Sequence, residues 1–324
     1  MSRAVVIESF GGPEVLQLSE VPVSEPNMGE VLVEHTAIGL NFIDTYQRSG
    51  LYPLELPSGL GLEAAGVVRA VGPEVVDFAV GERVAYTSPP PGAYAEQRVY
   101  PAGKLVALPA SVSDDTAAAA MLKGLTAWYL LHRSYRVQAG DTVLLYAAAG
   151  GVGSIVAQWA RHLGVRVIGV VSTEVKADKA ITNGCEAVVM ADAPDFVSQV
   201  RKLTNGEGVA AAYDSVGKLT FMQSLDCLRR HGTMVSFGNA SGPVDPISPL
   251  DLGQRGSLFL TRPALFDFIT TPTELRSAAS ELFAVLGSGA VTIEIGQTWP
   301  LAEVAEAHRA LESRATTAST LLLP

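Results

Sequence analysis

The chain has 324 residues, 48% of them hydrophobic and 17% charged, with a formal net charge of −10. That length exceeds a single hydrophobic core and fits two domains, and a mixed composition without low-complexity tracts excludes a disordered or fibrous protein. The acidic excess disfavours nucleic acid and anionic membranes as partners, since both call for clustered Lys and Arg, and two cysteines, Cys185 and Cys227, are too few for a disulfide framework or a Cys-based zinc site.

The N-terminus, Met1-Ser2-Arg3-Ala4 before Val5 to Ile7, lacks the basic start and apolar core of a secretory signal, so a cytoplasmic protein is expected. Residues 1–122 read as strand-rich. Glu30-Val31-Leu32-Val33-Glu34 alternates, and apolar clusters at Val67-Val68, Val80 to Ala85 and Tyr94 to Val99 are separated by turn pairs such as Gly11-Gly12-Pro13 and Gly72-Pro73. A short helix is predicted over Asn41 to Ser49, where Ile43, Tyr46 and Gln47 share one face. At Ser113-Asp114-Asp115, capping oxygens and first-turn carboxylates precede an Ala-rich helix, and a second helix is predicted from Gly124 to Ser134.

From Thr142 the rhythm becomes alternating. Strands are predicted at Thr142 to Tyr146, Arg166 to Val171, Ala187 to Met190, Val209 to Asp214 and Thr233 to Phe237, with helices such as Ile155 to Leu163 and Leu219 to Leu228 between them. Such βαβ repetition implies a parallel sheet covered on both faces. Thr142 to Ala160 is uncharged and long enough to cross a bilayer, yet Gly150, Gly151 and Gly153 divide it into strand, turn and helix start, which excludes a membrane span. Pro243, Pro246 and Pro249 end the alternation; a short strand at Leu258 to Leu260, a helix from Thr273 to Leu286, and a final strand, helix, strand follow. The closing strand, Ser319 to Leu323, has no obvious partner nearby, so the C-terminal segment is expected to rejoin the first domain. This gives 1–122 as the first part of a strand-rich domain, 123–264 as a nucleotide domain and 265–324 as the second part of the first.

The segment Thr142-Val143-Leu144-Leu145-Tyr146-Ala147-Ala148-Ala149-Gly150-Gly151-Val152-Gly153 has the order of a dinucleotide cradle: strand, small-residue turn, helix N-terminus. Ala148 stands where the first glycine of G-x-G-x-x-G would be. A ribose-binding acid is expected about 20 residues further on, but Val170-Val171-Ser172-Thr173 and then Lys176 occur instead. Hydroxyls and a cation suit a 2′-phosphate, which points to NADPH over NADH, with Glu174 opposing. Neither G-x-S-x-G nor H-E-x-x-H appears, and the five histidines are scattered and read as surface or structural.

Several segments, in their order, resemble the quinone oxidoreductases of the zeta-crystallin type in the medium-chain dehydrogenase/reductase superfamily. They are Gly11-Gly12-Pro13-Glu14-Val15-Leu16, Asn41-Phe42-Ile43-Asp44-Thr45-Tyr46, Arg48-Ser49-Gly50-Leu51-Tyr52-Pro53, Lys123-Gly124-Leu125-Thr126, the loop ending at Gly153, Tyr213-Asp214-Ser215-Val216-Gly217, Ser236-Phe237-Gly238-Asn239 and Glu312-Ser313-Arg314-Ala315-Thr316. The resemblance implies an α/β protein: a Rossmann-type doubly wound parallel sheet plus a GroES-like, strand-rich catalytic domain made from both ends of the chain. Zinc-dependent members carry a Cys after a Gly-x pair and a His in Gly-His-Glu. Here Gly39-Leu40-Asn41 and Gly61-Leu62-Glu63 stand there, so no metal ligand set is expected.

Without a Lewis acid, an acceptor that spreads negative charge over a conjugated system is favoured, which points to a quinone or similar conjugated carbonyl. The resemblance places Asn41, Tyr46 and Tyr52 in the substrate pocket. It also implies Asn41, Phe42, Asp44, Thr126, Tyr129, Gly150, Gly151, Val152, Gly153, Ser172, Thr173, Lys176, Ser215, Phe237, Gly238, Asn239, Phe259, Thr261 and Arg314 as NADPH neighbours, and a homodimer. Ala191 stands where close relatives carry a Tyr beside the adenosine phosphate. An alkenal or enone reductase shares the fold and cofactor and remains an alternative. A binding protein for RNA, or a structural crystallin, is the alternative of another class, which the acidic balance opposes.

Overall fold

The computed structural model describes residues 1–313 and 318–324 and divides into two compact units. The first comprises Met1–Leu125, Ile269–Gly287 and Ile293–Pro324, the second Thr126–Phe268 and Ser288–Thr292.

The first unit begins with β1 (Ser2–Ile7), β2 (Gln17–Val21), β3 (Glu30–Leu40), α1 (Phe42–Arg48), β4 (Ser58–Gly59), β5 (Glu63–Val71), β6 (Arg83–Thr87), β7 (Gln97–Pro101) and β8 (Val106–Ala107). β1 joins β2 and β4 in a small sheet, and β3 is the hub of a larger one. It pairs antiparallel with β5 in a register that sets Gly39 opposite Glu63, and with β7. Along β3, Val31 and Val33 are fully buried, so the alternation seen in the sequence marks the core face. Val5, Ile38, Leu60, Tyr86, Tyr94 and Leu322 belong to the same core.

α2 (Asp114–Tyr129) starts where the capping residues predict, with Ser113 Oγ accepting from the Thr116 N–H at 3.1 Å. The break expected at Gly124 does not occur. α2 runs through it and closes in a π-helical turn over Leu130–Ser134. A Cβ on Gly124 would lie 2.5 Å from Leu282 Cδ1, so this glycine serves close packing inside a helix and does not end one.

The second unit holds β9 (Thr142–Tyr146), α3 (Gly151–His162), β10 (Arg166–Val171), α4 (Glu174–Thr182), β11 (Ala187–Met190), α5 (Phe196–Leu203), β12 (Val209–Asp214), α6 (Phe221–Cys227), β13 (Leu228–Ser236), α7 (Pro249–Gln254) and β14 (Phe259–Thr261). Its sheet has the order β11-β10-β9-β12-β13-β14, parallel throughout. The order reverses between β9 and β12, and ligands of such sheets bind beyond the strand C-termini at that reversal.

The chain then returns to the first unit with α8 (Pro272–Gly287), β15 (Ile295–Pro300), α9 (Val304–Glu312) and β16 (Ser319–Leu323). β16 pairs antiparallel with β3, Thr320 opposite Leu40, and parallel with β15. The closing strand thus finds its partner in the first unit, as its isolation in sequence implied. No helix among the described residues is long and apolar enough to cross a membrane.

Candidate active site

In the second unit, β9 hands over to α3 through a turn in which Ala147 takes φ +50° and Gly150 caps the helix. The Gly150 N–H donates to Ala147 O at 2.8 Å, and the Ser154 N–H to Gly150 O at 2.8 Å. Amides of the first helical turn have no partner within the helix and face outward along its axis. Gly153 admits no side chain: a Cβ would sit 2.2 Å from Ala147 O and 2.8 Å from Ala148 Cα. The departure at Ala148 is accommodated from the next strand. Ala148 is fully buried and its methyl faces Gly169 of β10, where a Cβ would lie 2.9 Å away. Nothing local in the sequence links residue 148 to residue 169; the parallel register does. Gly153 thus lets the first turn of α3 pack directly on the turn backbone, and the helix start presents main-chain donors of the kind that hold a diphosphate.

At the tip of β10, Ser172 and Thr173 are exposed, and Thr173 caps α4 with Oγ1 near the Lys176 N–H at 3.4 Å. Ala191, just past β11, donates its N–H to Val171 O at 2.8 Å and so lies beside the same tip. At the end of β12, Asp214 is fully buried. Its carboxylate accepts from the Val216 and Gly217 N–H groups at 2.8 and 3.0 Å, from Thr220 Oγ1 at 2.7 Å and from Ser224 Oγ at 3.0 Å. Asp214 thereby fixes the turn carrying Ser215, while Phe237 and Gly238 close on it from β13: the Phe237 N–H donates to Asp214 O, and a Cβ on Gly238 would lie 2.4 Å from Ser215 O. Reading the sequence for ligand contacts missed this anchor. A lone carboxylate closing an apolar strand run before Ser-Val-Gly was the available signal. Tyr129 stacks on Phe268 at 5.1 Å, and Phe259 is exposed on β14. Arg314 lies outside the described residues.

In the first unit, α1 and the turn after it gather the expected pocket residues. The Tyr46 and Tyr52 rings meet edge to face at 5.3 Å, Phe42 adds a ring 6.2 Å from Tyr46, and the Tyr52 N–H donates to Tyr46 O at 3.1 Å. Asn41 caps α1 and is 4% exposed. It is held from two sides by carboxyl groups. Its backbone N–H donates to Asp44 Oδ2 at 2.9 Å, and its side-chain Nδ2 donates to Glu63 Oε2 at 2.7 Å. Glu63 also accepts from the Leu122 N–H at 2.6 Å and has the Lys123 ammonium 3.9 Å away. Gly39 makes the slot for that carboxylate, since a Cβ there would lie 2.3 Å from Glu63 Oε2.

Burial pushes the Glu63 carboxyl up and the Lys123 ammonium down, each partly offset by the other's charge. The Asp44 carboxyl is pushed up to about 7, chiefly by burial. Behind Asp44 stand Tyr94, whose hydroxyl donates to Oδ2 at 2.7 Å, then His308 at 3.1 Å from that hydroxyl, then Arg48 at 2.9 Å from His308 Nδ1. Arg48 reaches Glu312 at 2.7 Å on the rim. None of Glu63, Lys123, Tyr94 and His308 was singled out as a site residue from the sequence, because no local pattern joins them. The place of one zinc ligand in metal-dependent relatives is filled by Leu62, which is fully buried, and no three His, Cys, Asp or Glu side chains among the described residues are grouped to hold a metal ion.

The family model of the alcohol dehydrogenase GroES-like domain matches residues 27–110, and that of the zinc-binding dehydrogenases matches residues 151–283. The chain is 49% identical to a quinone oxidoreductase of Pseudomonas aeruginosa, over the whole of both chains. It is 47% identical to a 2-haloacrylate reductase of a Burkholderia species, over all of this chain and 99% of the relative. Among solved structures, Escherichia coli quinone oxidoreductase complexed with NADPH matches with a TM-score of 0.97 at 46% identity, over 99% of this chain and 100% of that one.

Proposed function

This chain belongs to the quinone oxidoreductase family of the medium-chain dehydrogenases and reductases, and from that membership we propose that it uses NADPH to reduce quinones or similarly conjugated small acceptors. The observation that carries the cofactor assignment is the β9–α3 turn, where Gly153 leaves no room for a side chain and the helix start supplies donors. When bound, NADPH supplies a hydride from its reduced ring. Gly150, Gly151, Val152 and Gly153 bind its diphosphate, and Ser172, Thr173 and Lys176 bind its 2′-phosphate. Thr126, Tyr129, Ser215, Phe237, Gly238, Asn239, Phe259 and Thr261 are further cofactor neighbours. In the first unit, Phe42, Tyr46 and Tyr52 hold a flat acceptor by ring contact, and the phenols orient its oxygens. Asn41 supports them by fixing the start of α1. Rate acceleration then comes chiefly from positioning, because a conjugated acceptor disperses the arriving charge.

A second reading, reduction of a carbon–carbon double bond next to a carboxylate or carbonyl, is supported by the 47% identity to a 2-haloacrylate reductase. A substrate panel followed by NADPH absorbance tests both. Turnover of benzoquinones is expected; turnover confined to 2-haloacrylate or enones gives the second reading, and oxidation by none of them overturns both.

We further infer a homodimer. β14 is a sheet edge with Phe259 61% and Leu260 39% exposed, and such an edge is a template for pairing. Light scattering of the eluted protein measures the mass directly. A cytoplasmic enzyme is supported by two buried free thiols, Cys185 and Cys227.

A further inference from the structure

The chain of hydrogen bonds behind α1 has a direction. Arg48 only donates, so His308 Nδ1 must accept from it, which puts the ring proton on Nε2. That N–H donates to the Tyr94 oxygen, and the Tyr94 hydroxyl is left to donate to Asp44 Oδ2. Burial and the Arg48 charge lower His308 to about 3, consistent with a neutral ring. Oδ2 of Asp44 therefore receives two donors, the Tyr94 O–H and the Asn41 N–H. Oδ1 is buried with no hydrogen-bond partner among the described residues. With Oδ2 taken up by two donors, Oδ1 is the oxygen left to carry a proton, and complete burial with no donor at Oδ1 outweighs those two bonds and disfavours the ionised form.

The charged and titratable groups around it are Arg48 on α1, Glu63 on β5, Lys123 on α2, Tyr94 between β6 and β7, and His308 on α9. Glu63 opposes ionisation of Asp44; Lys123 and the Tyr94 hydroxyl favour it. We propose that Asp44 is a positioning residue that holds the start of α1 as a neutral acid with its proton on Oδ1, and that loss of this proton lets water in at Oδ1 and disarranges the ring pair Tyr46–Tyr52. This rests on the acceptor site proposed above. An anionic Oδ1 without a donor must be hydrated or moved, and α1, of only seven residues, has its first turn fixed by the Asp44–Asn41 bond. Substrate affinity then follows the fraction of molecules whose Asp44 is protonated.

Infrared difference spectra of the cofactor-free protein over a pH series read the proton directly. A carboxylic acid C=O band that fades through about pH 7 is expected in the wild type, absent in Asp44→Asn, and shifted to higher pH in Tyr94→Phe, because the lost phenol donor had favoured the ionised form. In parallel, KM for a quinone at saturating NADPH should rise about tenfold at about one pH unit above the band's midpoint, as the competent fraction falls to about a tenth. That rise should move with the midpoint in Tyr94→Phe while kcat changes less. A purely structural Asp44 would not make KM follow the midpoint. Absence of the Asp44 band from the wild type, or a KM indifferent to it, overturns the proposal, and if Asp44→Asn fails to fold, the Tyr94→Phe shift decides. Wild-type protein that turns over no quinone but shows the titrating band would defeat the functional reading while leaving the proton where the geometry assigns it.

Discussion

The two units build their candidate sites from opposite materials. In the second unit, the β9–α3 turn works through main-chain amides and the absence of side chains, and its parts are neighbours in sequence from Thr142 to Gly153. In the first unit, α1 is held by a buried cluster of side chains whose partners lie far apart: 22 residues separate Asn41 from Glu63, 214 separate Tyr94 from His308 and 264 separate Arg48 from Glu312. A site made of backbone is lost by adding atoms, whereas a site made of buried charges is lost by removing one.

Four changes break or sharpen that contrast. The largest effect is expected from Gly153→Val, whose side chain would collide with Ala147 O and Ala148 Cα. Fluorescence titration should show no measurable NADPH binding, and unaltered affinity would refute the backbone cradle. Next comes Glu63→Gln, which leaves the Lys123 ammonium without its counter-charge in a buried place. Breaking a buried pair from one side is worth about 3–5 kcal/mol, so chemical denaturation should show a loss of that order. Glu63→Gln with Lys123→Met, which removes both charges, should recover much of it.

The third concerns pH. The folded-state value of Asp44, about 7, lies above its ordinary 3.8. Between those values the unfolded chain has released the proton and the folded one retains it, so wild-type stability falls as pH rises through that window and levels off above it. Asp44→Asn should lack this decline, with an upper bound of about 4 kcal/mol on the difference. Parallel curves for the two proteins would exclude a buried, protonated Asp44. The smallest effect is expected from Lys176→Ala: a drop of about tenfold in NADPH affinity, about 1.4 kcal/mol, with NADH affinity unchanged. Equal losses for both cofactors would place Lys176 away from the 2′-phosphate.

Where the sequence misled, packing at a distance was the reason. Gly124 reads as a break between two helices, yet α2 continues through it because Leu282 occupies the space a side chain would need. Asp214 passed as part of a motif, although it anchors the turn at the end of β12.

The sequence by itself determined the alternation of strands and helices in the second unit, the glycine turn, the cap at Ser113 and the aromatic residues of α1, because each depends on neighbours within a turn or two of chain. Only the tertiary structure decided that Gly169 makes room for Ala148, that Gly39 makes room for Glu63, and that Arg48, His308 and Tyr94 line up in a hydrogen-bonded chain ending on Asp44. Those outcomes follow from sheet register and from burial of charge. Both are set by which distant segments share a core, and no local pattern of residue types records that choice.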